Sequence, residues 1–387
     1  LLSLVFATVI GFSSTPVEAQ SELLDSMPKT KPTELELDSV KPLAELNWLF
    51  DQSEGWVGAD GAYSIRLSQN RTLWTFGDTW IGAIKDGKRV GVTMINNSVA
   101  QQVIEPEAQK ENQTGIKYGE LQFAWDKNKK KPGSLWRPKK KVEYYWPADG
   151  CLIDGKLYVF LHRIATNLKL NPPFQFETRG DDLIVIENPQ ETPCKWQSIS
   201  KEVKNDPEAV HPATACFAKG DYLYVYCTAP KRKQGYNAHP LIIGRLSKES
   251  LSLLRVEDME YFVSEKEGWN PDSSKAEILF ADAGPEMSVG RVKGIEGLVA
   301  VYMPPFSKEI MVRRALKPEG PWSERTKVFD CPEIEDSIIL YSAKGHSELC
   351  SREKTLVVTY CRNTKDMESH FERPSIYFPR ALLIKFK

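Results

Sequence analysis

The sequence predicts an all-β fold, and three observations predict it. A short strand that opens on an ionisable residue leads through a turn into a second apolar strand, and this hairpin recurs five times. Gly, Asn, Asp and Ser mark the turn inside each copy. Helical periodicity is almost absent, Ser247–Arg255 being the best short stretch. The copies open at Asp60, Asp149, His211, Glu286 and His346, roughly 60 to 90 residues apart. Hairpins at that spacing read as blades, so the expected architecture is a five-bladed β-propeller, one domain over residues 48–387.

The elements follow in chain order. LLSLVFATVIGFSS is apolar, too short to span a bilayer comfortably, and runs into TPVEAQ. Val17-Glu18-Ala19 offers the small residues that signal peptidase requires. Residues 1–19 therefore read as a signal peptide lacking its Met and basic start, cleaved after Ala19. The expected location is secreted or periplasmic, with no membrane insertion after cleavage. Residues 20–47, rich in Pro, Glu, Lys and Ser, read as a linker.

The first hairpin is DGAYSIRL, the turn SQNR and LWTFGD, ending at Asp78. The second is DGCLI, IDGK and LYVFLH; the third HPATACFA, AKGD and LYVYCT. The fourth is EMSVGRV, KGIEG and LVAVYM; the fifth HSEL, SREK and LVVTYC. NNSVAQQVI, DDLIVIENP, PLIIGRLS, EIMVRRAL and RALLIKFK supply a third strand to each, with KWQSIS and TKVFD as weaker fourth strands. RALLIKFK either completes a blade begun near the N-terminus or closes the last one.

Composition narrows the function. The formal net charge of −1 gives no reason to expect nucleic acid as a partner. The lysine-rich stretch Lys127–Lys141 lacks strand or helix spacing and reads as a solvated loop. Seven cysteines without a CxxC pair read as small buried residues, with no structural zinc site. Asn70, Asn96 and Asn112 stand in N-x-S/T triplets. No GxSxG elbow, P-loop or HExxH occurs.

Blade geometry turns strand order into a site. Successive strands are antiparallel, so the start of the first strand and the end of the second emerge on one face. That places Asp60, Asp149, His211, Glu286, His346 and Glu348 in one ring, with Asp78 beside it. Carboxylates that converge raise one another's pKa values, which general acid–base chemistry exploits. A pair of them suffices to cleave a glycosidic bond. Asp60 and Asp78 are the expected catalytic pair, their individual roles left open. Asp149, His211, Glu286, His346, Glu348, Trp80 and Trp146 are expected to bind substrate. Trp56, Tyr63, Tyr145 and Tyr236 add flat faces near the same ends, of the kind that stack on sugar rings. The ordinary alternative for each carboxylate is a turn or cap, and for each aromatic a core position.

GADGAYSIRLSQNRTLWTFGDTWIG resembles the opening blade of a bacterial family of five-bladed propellers that includes endo-D-arabinanases. GPWSERTKVFDCPE, YSAKGHSEL and LVVTYCRNT resemble that family's last blades, and the resemblance covers residues 48–387. Ser347 departs from it, since related sequences tend to have Pro there. The resemblance implies a secreted glycoside hydrolase acting on a polysaccharide or oligosaccharide, with arabinofuranose-containing polymers as one substrate. It puts the paired acids on Asp60 and Asp78. No cofactor is required; a structural calcium ion in the channel is left open. The alternatives are a non-catalytic carbohydrate-binding propeller and a protein-interaction propeller with an apolar face.

Overall fold

The computed structural model describes residues 31–103, 116, 119–127, 130–170, 174–203, 209–232, 239–333, 335 and 337–387. The signal peptide over residues 1–19, the start of the linker, Asn112 and Tyr236 lie outside the described residues.

The fold is all-β, in six antiparallel sheets. Sheet one pairs Tyr63–Ser68, Arg71–Phe76, Ser98–Val103 and Glu120–Ala124 in chain order. Sheet two pairs Glu143–Ile153, Lys156–Thr166, Phe176–Ile186 and Ser198–Val203. Sheet three pairs His211–Lys219, Tyr222–Thr228, Leu241–Ser247, Glu260–Ser264 and Gly268–Asn270. Sheet four pairs Met287–Gly290, Leu298–Tyr302, Glu309–Ala315 and Thr326–Asp330. Sheet five pairs Ile338–His346, Thr355–Thr364 and Arg380–Phe386, and its outer strand is Leu37–Pro42 from the other end of the chain. Part of the expected linker is therefore a strand: Leu37–Pro42 lies along Leu382–Phe386. A helix, Ala44–Phe50, follows it and buries Leu46 and Phe50.

The sixth sheet was not foreseen. Glu54–Ala59, Thr79–Lys85 and Lys88–Ile95 form it, interrupting sheet one between its second and third strands. Asp86 and Gly87 make its tight turn, with φ of 51° and 76°. Two successive positive φ values are what a two-residue hairpin turn requires, and Asp-Gly supplies them at low cost. Asp154-Gly155 does the same in sheet two, where the sequence predicts the turn.

The second strands are continuous apolar runs because both their faces are covered. Leu157–Leu161 is buried throughout, its side chains divided between two clusters. The first strands pack side by side, sheet one on sheet two, two on three, three on four and four on five. Sheet five then returns to sheet one, where the Ser342 hydroxyl and the Lys344 ammonium both donate to the Gly61 carbonyl.

The first strands are not straight, and that decides what they present. In sheet two Pro147 and Gly150 oppose Leu161 and Val159, so Ala148 and Asp149 bulge opposite one residue. In sheet five Tyr341 and Lys344 oppose Cys361 and Thr359, so Ser342 and Ala343 bulge. In sheet three the bulge falls between His211 and Ala215. Ala213 and Ser342 take the left-handed conformation there, and Ala62 takes it where the chain enters sheet one, with φ of 61°, 60° and 53°. Bulges re-aim side chains, and those of sheets two and five carry Asp149 and Ser342.

Candidate active site

Asp60 leaves the strand Glu54–Ala59, and Asp78 joins the second strand of sheet one to the sixth sheet. Backbone bonds lock them together: Asp60 N–H donates to the Asp78 carbonyl over 3.3 Å, and Gly77 N–H donates to the Asp60 carbonyl over 3.1 Å. Both side chains keep part of their surface open to solvent. A Cβ on residue 77 would stand 2.5 Å from Asp60 Oδ1, so the close approach of this carboxylate requires glycine.

Two phenols hold Asp60. Tyr341 donates to Oδ2 over 2.7 Å and Tyr377 donates to the same oxygen over 2.8 Å. The direction of the first bond follows from its neighbours. The Trp80 indole, which can only donate, gives its N–H to His370 Nδ1 over 3.3 Å. His370 Nε2 therefore carries the ring proton and donates to Asn363 Oδ1 over 2.9 Å. Asn363 Nδ2 then donates to the Tyr341 hydroxyl over 3.3 Å, which leaves the phenol proton for Asp60. Burial pushes His370 down to about 4, so it stays neutral near pH 7. With Oδ2 occupied by two donors, Oδ1 is the oxygen left to carry a proton.

Burial pushes Asp60 up to about 7, helped by the charges of Asp78 and Glu286 and opposed by the two phenols. Burial also raises Asp78, against hydrogen bonds from Trp146 and Asn96. Those two donate to Asp78 Oδ1 over 2.9 and 3.0 Å. Asn96 heads one of the N-x-S/T triplets, and its amide is engaged inside the site.

Asp149 lies on the bulge of sheet two and is 8% exposed. It accepts the Cys216 N–H over 2.7 Å and its neighbour Gly150's over 2.8 Å. Burial pushes it up to about 7; those two N–H groups and Lys344 oppose the shift, and Glu348 adds to it.

Lys344 is the unexpected member, a lysine only 1% exposed. Its ammonium donates to the Gly61 carbonyl over 2.5 Å, to Glu286 Oε1 over 3.2 Å and to Ser342, and lies 4.0 Å over the Tyr63 ring. A buried cation needs such partners, and Asp149 and Glu286 gain a counter-ion from it. Among the described residues no three His, Cys, Asp or Glu side chains are grouped to hold a metal ion.

The other predicted residues divide. Trp146 stands at the site, its indole on Asp78. His211 lies edge-on to His162 with ring centres 6.2 Å apart, and burial, aided by His162, pushes it down to about 4. His162 in turn meets Asp181 over 2.6 Å. Trp80 is buried beneath Phe371 and reaches Asp60 only through the hydrogen-bonded chain. His346 is fully buried, bonded to Ser64 over 2.6 Å and to Thr359 over 2.7 Å. Ser64 also donates to Glu348. The reason for His346 is register. The fifth sheet bulges at Ser342–Ala343, so His346 ends the first strand instead of opening it, where sheet two has Leu152. The matching end is marked by Tyr341, which HSEL-based alignment of the repeats passes over. The YSAKGH stretch carries Tyr341 and Lys344, and only the bulge could have shown it.

All seven cysteines are free, five of them buried. Among the described residues no helix is long and apolar enough to cross a membrane.

A sequence family described as a domain of unknown function, DUF5005, matches residues 44–381. No curated protein matches the chain. A solved structure from Bacteroides ovatus ATCC 8483, assigned provisionally as a hydrolase, aligns with a TM-score of 0.67 at 17% identity, covering 93% of this chain and 96% of that one. It shows a shared fold over nearly the whole of both. A GH43_1 enzyme from Xanthomonas citri aligns at a TM-score of 0.45 and 12% identity, covering 89% and 93%. An α-L-arabinofuranosidase from Lactobacillus brevis aligns at 0.44 and 12%, covering 86% and 90%.

Proposed function

The chain belongs to the family DUF5005, and for this member we propose a five-bladed propeller that hydrolyses glycosidic bonds through Asp60 and Asp78. Sheets one to five are the blades. The contact of sheet five with sheet one supports the count, and the sixth sheet is an elaboration of blade one. The provisional hydrolase assignment of the Bacteroides ovatus structure, which shares the fold, agrees with this chemistry.

One observation carries the reading: two carboxyl groups, Asp60 raised to about 7 and Asp78 raised from its ordinary value, flank Gly77 on an accessible face. At neutral pH Asp60, at about 7, is divided between its two forms. Its free oxygen Oδ1 can hold a proton and give it to a departing glycosidic oxygen, so Asp60 is the acid. Asp78 accepts two N–H donors, which favour its anion, so it acts as base or nucleophile. Trp146 fixes Asp78 and lends the site an aromatic face. Asp149 and Glu286 share the Lys344 ammonium and tune the field around the pair. Glu286 faces that ammonium, a poor setting for calcium, so the reading assigns no cation to the channel.

The substrate class is a polysaccharide, with arabinofuranose-containing polymers the first choice on the resemblance of GADGAYSIRLSQNRTLWTFGDTWIG. Export, supported by the apolar start and Val17-Glu18-Ala19, would bring the protein to such polymers. The test is to incubate purified protein with a panel of arabinans, xylans, fructans and galactans and identify the released sugars. Release from one of them is expected. Binding without release from any would leave a carbohydrate-binding propeller.

A further inference from the structure

We propose that an aromatic row running outward from Asp78 is the subsite for sugar units next to the cleaved bond. The proposal rests on the hydrolase reading and adds where the rest of the polymer lies. Trp146, hydrogen-bonded to Asp78, meets Phe176 edge-on with ring centres 4.7 Å apart. Phe176 meets Phe174 at 6.4 Å, and Phe174 meets Phe306 at 6.4 Å with the rings nearly perpendicular.

Topology puts these rings on the face of the site. Phe174 and Phe306 follow the second strands of sheets two and four, Lys156–Thr166 and Leu298–Tyr302. Asp78 follows the second strand of sheet one, Arg71–Phe76. All three loops therefore leave their sheets at the same end. The Phe174–Phe306 pair joins loops from two non-adjacent sheets.

Two further features set this row apart from core packing. Phe174 and Phe306 are 45% and 58% exposed, whereas core aromatics such as Trp74 and Phe76 are fully covered. Phe306 also holds a left-handed φ of 59°, an unfavourable conformation for a bulky residue. Exposed, strained and contiguous with a catalytic candidate, these rings suit a ligand with both polar edges and flat C–H faces. A sugar ring has both.

The experiment compares wild type with Phe174→Ala, Phe306→Ala and the double variant, each checked for unchanged thermal unfolding. Activity is read on a small aryl glycoside and on oligosaccharides of two to six units of the sugar that the wild type cleaves. Binding is read by affinity electrophoresis in gels containing the polymer. The row predicts roughly five- to tenfold higher KM on the longer oligosaccharides and lost gel retardation, with kcat/KM on the aryl glycoside unchanged. Equal retardation and equal KM in the double variant would overturn the subsite while the hydrolase reading stands. A wild type that neither binds nor cleaves any polymer would overturn both.

Discussion

The Tyr341 hydroxyl gives its proton to Asp60 Oδ2 over 2.7 Å, and the direction of that donation is fixed by Trp80 through His370 and Asn363. The phenol thus stabilises the Asp60 anion and opposes the burial that lifts the carboxyl to about 7. Tyr341→Phe removes a donor and raises Asp60 further. If protonated Asp60 is the acid, activity falls as pH rises through its pKa. The alkaline limb of kcat/KM should then move to higher pH in the variant, by about 0.5 to 1 unit. Tyr377→Phe, which frees the same oxygen, should move it the same way. A limb that stays in place in both variants contradicts the assignment of Asp60.

Gly77→Ala offers a selective disturbance. Gly77 does not have a left-handed φ, so the backbone accepts alanine there. The new Cβ would stand 2.5 Å from Asp60 Oδ1 and must push the carboxylate aside. Misplacing a catalytic group by about 1 Å can cost roughly 10²-fold. Turnover should fall by that order with the melting temperature little changed. Unchanged turnover would mean that the position of Asp60 is immaterial.

Asp149 links the site to stability. Its pKa is about 7 in the folded protein against an ordinary 3.8. An acid raised by folding contributes stability that is full below its unfolded pKa and lost as pH rises through the folded one. Asp149→Asn abolishes this loss. The variant should gain on wild type between pH 4 and pH 8, by about 1.4 kcal/mol per pH unit at most. The lost acceptor for an N–H costs the same at every pH and leaves the slope untouched. Parallel urea midpoints across that range check it, and a difference independent of pH would contradict the raised value.

Lys344→Met tests the buried ammonium. The methionine fills similar space but leaves Glu286 without its donor and the Gly61 carbonyl with the Ser342 hydroxyl alone. Removing one partner of a buried pair costs about 3 kcal/mol. A large fall in the urea midpoint is expected, together with a further rise of Asp149, which Lys344 holds down. An unchanged midpoint would show that the ammonium does not organise the ring.

Much of this was legible in the chain. Alternating and continuous apolar runs, cut by Asp-Gly and similar turns, located the second and third strands because burial on one or both faces leaves a direct mark on composition. That Asp60 and Asp78 lie side by side was legible too, since strand direction alone brings them to one end. Register was not legible. A bulge costs one residue and leaves no fixed signature, so His346 read as a strand opening when it closes one, and Tyr341 and Lys344 went unseen. The sixth sheet hid behind a loop, although Asp86-Gly87 signalled its turn. Leu37–Pro42 read as linker because an outer strand, mostly solvated, has a polar composition. Trp80, two residues after Asp78, reads as a substrate-binding ring, but it is buried under Phe371 by a helix, Met367–Glu372, nearly three hundred residues away.

The most direct measurement is turnover of Asp60→Asn and Asp78→Asn on the polysaccharide that the wild type cleaves best, alongside thermal unfolding of each. Loss of an acid or base should lower kcat by about 10²- to 10⁴-fold in both variants, with folding intact and polymer binding retained. Near wild-type turnover in both would contradict the account and remove the pair from the chemistry.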